Sequence, residues 1–279
     1  MSESLTVLVG IHEDTDMTFE RKHLAEHITA HKFFVKPVKV YWPRDYFVRS
    51  DKKYVVCRQH GACGEGGAIH VGSEYVLVSE QLFNRRDFPW TKEDAQKNEE
   101  EIKKRIKEHY PNKRIHIVPV GRSQNNEIGR EINGILYAKL FRHIDITTLL
   151  VPSRKLLIID ENFYDNKYCT IRKDDPFKKF RQIAVQENLT LELFKPSMKE
   201  SFLYYPLNCL ILPTQETGEV VVVNGYVPSL VSLLKKYDLQ IITVNMSESP
   251  KLGGSIRCCT NVYDYSRPLS QLLDLYDEH

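Results

Sequence analysis

At 279 residues, 42% hydrophobic and 27% charged, the chain has an ordinary globular make-up and can bury a sizeable core. A net charge of +2 argues for neither nucleic-acid nor membrane partners; no apolar run approaches the ~18 residues of a membrane span, and the N-terminus lacks a signal-peptide pattern. The six cysteines, Cys57, Cys63, Cys169, Cys209, Cys258 and Cys259, form no Cys-x-x-Cys pair, which argues against a disulfide framework and a zinc site and for a cytoplasmic protein with reduced thiols.

In chain order, the sequence predicts a strand at 6–10, an amphipathic helix at 19–31 and a strand at 38–42. A hairpin follows, from 44–48 to 54–57 around a polar turn. Gly64-Glu65-Gly66-Gly67 leads into a second hairpin at 68–71 and 75–79, then a charged helix at 92–109 and a strand at 115–120. Arg142-His143-Ile144-Asp145 leads into a third hairpin at 146–151 and 155–159, with a helix at 176–186 and a strand at 190–194. A fourth pass has strands at 205–212 and 220–224, a helix at 228–237 and a strand at 239–244. The last begins at Gly253-Gly254 and supplies a strand at 255–262. A closing helix fits 269–276, unless the N-terminal helix and strand complete this unit. Residues 122–126 and a further helix at 128–141 fit the pattern poorly.

A ββαβ unit returning roughly every fifty residues is an internal repeat, and repeats decide architecture. Five units are most economically closed into a ring about a pseudo-fivefold axis, which also protects strand edges. No low-complexity linker interrupts the chain. The expectation is an α/β fold, a five-bladed propeller of ββαβ repeats, as a single domain over residues 1–279.

Chemically distinctive residues gather where the hairpins begin. The first offers Arg44 and Asp45, the second Glu65, the third His143 and Asp145, and the last Cys258. In a ring, such positions converge near the axis. On an extended strand His143 and Asp145 would share a face, whereas Cys258 and Cys259 would face opposite ways. Each residue also has a plain alternative: a surface ion pair for Arg44 and Asp45, a solvated turn for Glu65, a satisfied histidine for His143, a core position for Cys259. Joint placement at equivalent repeat positions is what favours chemistry. The remaining histidines carry no pattern.

Trp42-Pro43-Arg44-Asp45, Gly64-Glu65-Gly66-Gly67, His143-Ile144-Asp145 and Gly253-Gly254-Ser255-Ile256-Arg257-Cys258, in that order, resemble the guanidino-group modifying enzymes. That superfamily includes arginine and agmatine deiminases, dimethylargininases and amidinotransferases, all with the pentein fold. The resemblance implies that Cys258 is the nucleophile and His143 the general acid/base, with Glu65 holding or activating the substrate group. It also implies that Asp45 and Asp145 bind the guanidinium. For a carboxylate at the substrate's far end, Arg44, Arg122, Arg130, Arg142 and Arg257 are all candidates, and the sequence does not choose among them. This chain departs from the common pattern at Arg142, at Arg257 and at Tyr46-Phe47. These departures leave the catalytic set intact and the substrate open.

The chemistry suits these residues independently. Carboxylates grip a planar guanidinium through charge-assisted hydrogen bonds, and its resonance-stabilised carbon requires a well-placed thiolate. The expected activity is metal-independent, cofactor-free hydrolysis of a small guanidino compound through a covalent thiouronium-type intermediate. Two alternatives stand beside it: an amidinotransferase, if an amine replaces water, and a non-catalytic pentein binding protein. The expected partner is the small-molecule substrate, with a homo-oligomer left open.

Overall fold

The computed structural model describes residues 5–11, 15–45, 47–49, 54–56, 66–82, 92–119, 143–164, 175–214 and 218–264. The expected extra helix at 128–141 and closing helix at 269–276 lie outside these residues. The chain packs as two compact units, one holding the described residues up to Arg44 and from Pro196 onward, the other those from Asp45 to Lys195.

In the first unit, β1 (Leu5–Gly10) pairs antiparallel with β14 (Thr260–Asp264) and parallel with β2 (Phe34–Val38). Helix α1 (Thr15–Ala30) connects β1 to β2. The N-terminal segments therefore complete the last repeat, so the ββαβ order of this sheet is split between distant parts of the chain. A second sheet joins β11 (Leu210–Thr214), β12 (Gly218–Asn224) and β13 (Gln240–Val244), with α5 (Pro228–Lys235) between the last two. Val7, Val9, Leu24, Ile28, Leu212, Val222, Ile242 and Cys259 share one buried core.

In the second unit, β5 (Ile69–Val71), β6 (Tyr75–Ser79) and β7 (Arg114–Val118) form one sheet, with α2 (Lys92–His109) before β7. Another holds β8 (Thr148–Val151), β9 (Leu156–Asp160) and β10 (Thr190–Phe194), with α4 (Pro176–Gln186) before β10. In both, the hairpin is antiparallel and the strand after the helix is parallel. The hairpin β3 (Phe47–Arg49) with β4 (Tyr54–Val56) stands as a two-stranded sheet among the described residues. Ile69, Val76, Val78, Ile102, Ile106 and Tyr110 bury the apolar stripe of α2 against its sheet.

Three expectations are corrected. The strand expected at 38–42 lies earlier, as β2. The carbonyl of Tyr41 accepts from Arg21 Nη1 at 2.7 Å, and the Arg21 guanidinium lies 4.8 Å from the Trp42 ring centroid, so this stretch is bound to a side chain instead of a strand. His143-Ile144-Asp145 is not extended throughout. His143 has extended φ/ψ, but Asp145 lies in a four-residue helical turn, α3 (Ile144–Thr147), whose Ile144 carbonyl takes both the backbone N–H and the Oγ1 of Thr148. Cys258 and Cys259 lie in a turn ahead of β14, closed by Cys259 N–H to Ser255 O at 3.1 Å and Thr260 N–H to Arg257 O at 3.2 Å. No described helix is long and apolar enough to cross a membrane.

Candidate active site

The cysteine turn is built up from α1. The Glu20 carboxylate accepts the backbone N–H groups of Ser247, Glu248 and Ser249 at the start of the short helix α6 (Glu248–Lys251). Next to it, Arg21 is fully buried and donates to Ser249 Oγ at 3.1 Å, to Gly10 O at 2.9 Å and to Tyr41 O. A single guanidinium thus ties α6, β1 and the Tyr41-Trp42 segment together. Trp42 then packs on Gly254. A Cβ at Gly254 would sit 2.8 Å from the Trp42 ring and 2.8 Å from Cys258 Cβ, so only a glycine fits. Gly253 before it takes a left-handed φ of 91°. The paired glycines read from the sequence therefore serve a sharp turn and a close approach to the thiol-bearing residue.

Cys258 is 5% exposed and Cys259 is fully buried. Cys259 packs in the core, as expected, although the reason is its place in a turn and not strand alternation. Burial pushes the Cys259 thiol up to about 12, with Arg21 opposing the shift and Cys258 and Glu20 adding to it. Burial also raises the Cys209 thiol, with Arg257 opposing. Both of these sulfurs face carbonyls: Cys259 Sγ lies 3.3 Å from Ile256 O and Cys209 Sγ 3.0 Å from Pro206 O.

Cys258 differs. Its sulfur accepts from Asn208 Nδ2 at 3.2 Å, while Asn208 Oδ1 accepts the backbone N–H of Ser255 at 3.0 Å and of Cys258 at 3.1 Å. Sequence reasoning missed Asn208. A usable signal existed: the other hairpin starts each offered a reactive or charged residue, the fourth offered none, and Asn208 sits two residues before β11.

Arg44, 8% exposed, occupies a 3-10 turn at Pro43–Asp45, which is fastened to β14 by Asn261 Nδ2 donating to Pro43 O at 3.0 Å. Asp45 ends that turn and is half-buried. In the second unit the structure brings His143 and Asp145 together. Asp145 is fully buried, and a ring nitrogen of His143 lies within 4.8 Å of a carboxylate oxygen of Asp145. Both border Gly67, where a Cβ would fall 2.5 Å from His143 Nδ1 and 3.1 Å from Asp145 Oδ1. The last glycine of the Gly64-Glu65-Gly66-Gly67 motif therefore leaves room for the histidine. Glu65 itself lies outside the described residues.

Solved structures share this architecture. The N-terminal domain of ArgZ, an arginine dihydrolase of the cyanobacterial ornithine–ammonia cycle solved with its product, superposes with a TM-score of 0.58 at 10% identity, over 93% of this chain and 97% of that one. DDAH from Pseudomonas aeruginosa, solved with citrulline, gives 0.53 at 11% identity over 92% and 98%. The chain has the fold of the guanidino-modifying pentein enzymes. SxtG, an amidinotransferase from Microseira wollei, shares the pentein fold too, at 0.52 and 13% identity over 92% of this chain and 93% of that one. No protein-family model and no curated protein matches the sequence. At these identities the likeness speaks for the fold, and the particular reaction rests on the residues.

Proposed function

We propose that the protein hydrolyses a guanidino compound through a covalent adduct on Cys258. In this reading the five small sheets are the blades of the pentein ring, and Asp45, Glu65 and Asp145 grip the cationic guanidinium with charge-assisted hydrogen bonds. The Cys258 sulfur attacks the guanidinium carbon, His143 protonates the departing nitrogen, and the thiouronium carbon remains bonded to sulfur. Water, deprotonated by His143, then attacks that carbon and releases the thiolate. In this reading Arg44 serves an anionic part of the substrate, since a buried guanidinium favours a carboxylate.

The observation that carries this reading is a buried cysteine in a glycine-shaped turn and a neighbouring histidine and aspartate, each preceding an antiparallel strand pair on a fold shared with guanidino-processing proteins. The test is a screen of arginine, methylated arginines, agmatine and guanidino acids, with and without an acceptor amine, followed by mass spectrometry of the intact protein. Release of ammonia or alkylamine and an adduct lost in Cys258→Ala are expected. Absence of both turnover and adduct across the panel overturns the proposal and leaves a binding role.

Likeness to an amidinotransferase at a TM-score close to that of DDAH favours a second reading, transfer of the amidino group to an amine. Product formation that depends on the added amine selects it over hydrolysis.

A further inference from the structure

We infer that Asn208 is the group that holds the Cys258 sulfur as a hydrogen-bond acceptor and so favours its ionised, attacking form. This rests on Cys258 being the nucleophile, as proposed above.

Asn208 Oδ1 is 3.0 Å from the Ser255 nitrogen and 3.1 Å from the Cys258 nitrogen. Both partners are backbone N–H groups, which can only donate. The oxygen must therefore face them, and the NH2 is left directed at Cys258 Sγ, 3.2 Å away. The two backbone donors decide the orientation of the amide, leaving no freedom for the opposite flip. An NH2 cannot accept, so sulfur takes the acceptor role, which a thiolate fills far better than a thiol.

The other two described thiols show the opposite arrangement in the same unit. Cys209 and Cys259 face carbonyl oxygens, which need an S–H donor, so their surroundings reward the protonated form. Among the three, Cys258 is the one whose sulfur accepts from a side-chain N–H.

The fold also spends strain to put Asn208 there. Its side chain is 1% exposed. Its N–H donates to Tyr205 O at 3.0 Å and its carbonyl accepts Arg257 N–H at 3.1 Å, so the cysteine turn is bound to the residue's backbone as well as its amide. Tyr205 takes a left-handed conformation, φ 47° and ψ 68°, at the end of a π turn, Glu200–Tyr204. A bulky residue adopts that region only when the surroundings impose it, and such outliers cluster at working sites.

The decisive variant is Asn208→Asp. It keeps an oxygen for both backbone N–H groups, so the turn stays clamped, but sets a carboxylate oxygen against sulfur. The readout is the rate of iodoacetamide labelling of Cys258 against pH, resolved by peptide mapping. The half-maximal rate is expected to move up by about one pH unit, with labelling at neutral pH about tenfold slower. An unchanged profile in a folded variant overturns the inference. Should that variant not fold, Asn208→Ala decides: with the N–H donor gone, Cys258 labelling should reach half its maximal rate at higher pH than in the unaltered protein, and an equal or lower pH overturns the inference. Labelling needs no substrate. A shifted profile with no guanidino turnover therefore refutes the proposed function alone, whereas turnover with an unshifted profile refutes the role of Asn208 alone.

Discussion

The Arg21 guanidinium lies 4.8 Å from the centroid of the Trp42 ring, and that ring is what a side chain at position 254 would strike. One buried cation on α1 therefore braces the aromatic wall of the cysteine turn. Removing it in Arg21→Met strips donors from the carbonyls of Gly10 and Tyr41. We expect roughly 2–4 kcal/mol of destabilisation in urea unfolding, together with faster labelling of the otherwise buried Cys259. Retention of wild-type stability would refute the bracing role.

Gly254→Ala is the complementary change. Its Cβ meets a ring and a neighbouring Cβ, neither of which is the tip of a flexible chain. Overpacking of this kind costs about 1–3 kcal/mol. We expect lower thermal stability and a displaced Cys258, read as a fall in labelling rate. The same substitution at Gly253 would add strain of a different origin, because that backbone is left-handed.

Cys259 makes an alkaline prediction. Its folded thiol titrates near 12, against 9.0 for the ordinary group, chiefly through burial. Between those values the unfolded chain releases a proton that the folded chain keeps, so stability falls as pH rises from 9.0 towards 12. Cys259→Ala should flatten this limb while costing about 1 kcal/mol at neutral pH for the small cavity. Turnover should survive. A variant with the original alkaline slope would count against the assignment.

Glu187 makes the acid counterpart. Its carboxylate accepts from Arg114 at 2.8 and 2.7 Å and contacts His116 Nε2 at 2.5 Å. The Arg114 hydrogen bond leads the effects that hold it below its ordinary 4.5, while burial works the other way. A depressed folded value means the contribution is present above 4.5 and is lost as pH falls through the lower folded value. Glu187→Gln should thus lower stability at neutral pH and flatten the acid limb of a thermal-stability profile. An unchanged acid limb would show that the cluster carries no net coupling.

Asp145→Asn tests the carboxylate reading without altering shape. If Asp145 pairs with a desolvated guanidinium, kcat/KM for the best substrate should fall by about 2–4 kcal/mol in transition-state terms. Circular dichroism should remain native. Unaltered kinetics would make Asp145 a structural partner of His143 and no more.

Much of this was legible in the residues. Helices α2 and α4 match their sequence-read limits because each carries a strong local signal. For α4 that signal is Pro176 at its first turn, with Asp175 Oδ1 accepting Phe177 N–H at 2.9 Å. The cysteine turn was misread as a strand because Ile256, Thr260 and Val262 are β-branched. Local propensity yielded there to carbonyls of Ser255, Ile256 and Arg257 that are satisfied within the turn. Arg21 was invisible for another reason: on a helix pattern a charged residue reads as solvent-facing, and only the convergence of Gly10, Tyr41 and Ser249 reveals why it is inside. Asn208 lies outside any periodic element, so only the comparison between repeats could have singled it out.

The pairing of β1 with β14 has a consequence for biosynthesis. Leu5 is in register with Asp264 and Val9 with Thr260, so the ladder beside the cysteine turn joins segments made at widely separated times. A nascent chain can assemble the sheets of the second unit as each emerges, since their strands are near neighbours in sequence. The wall behind Cys258 has to wait until residues through Asp264 have left the ribosome. A product truncated before that point would lack the ladder that braces the thiol. The turn that carries Cys258 thus gains its neighbouring ladder only once the chain has been made through β14.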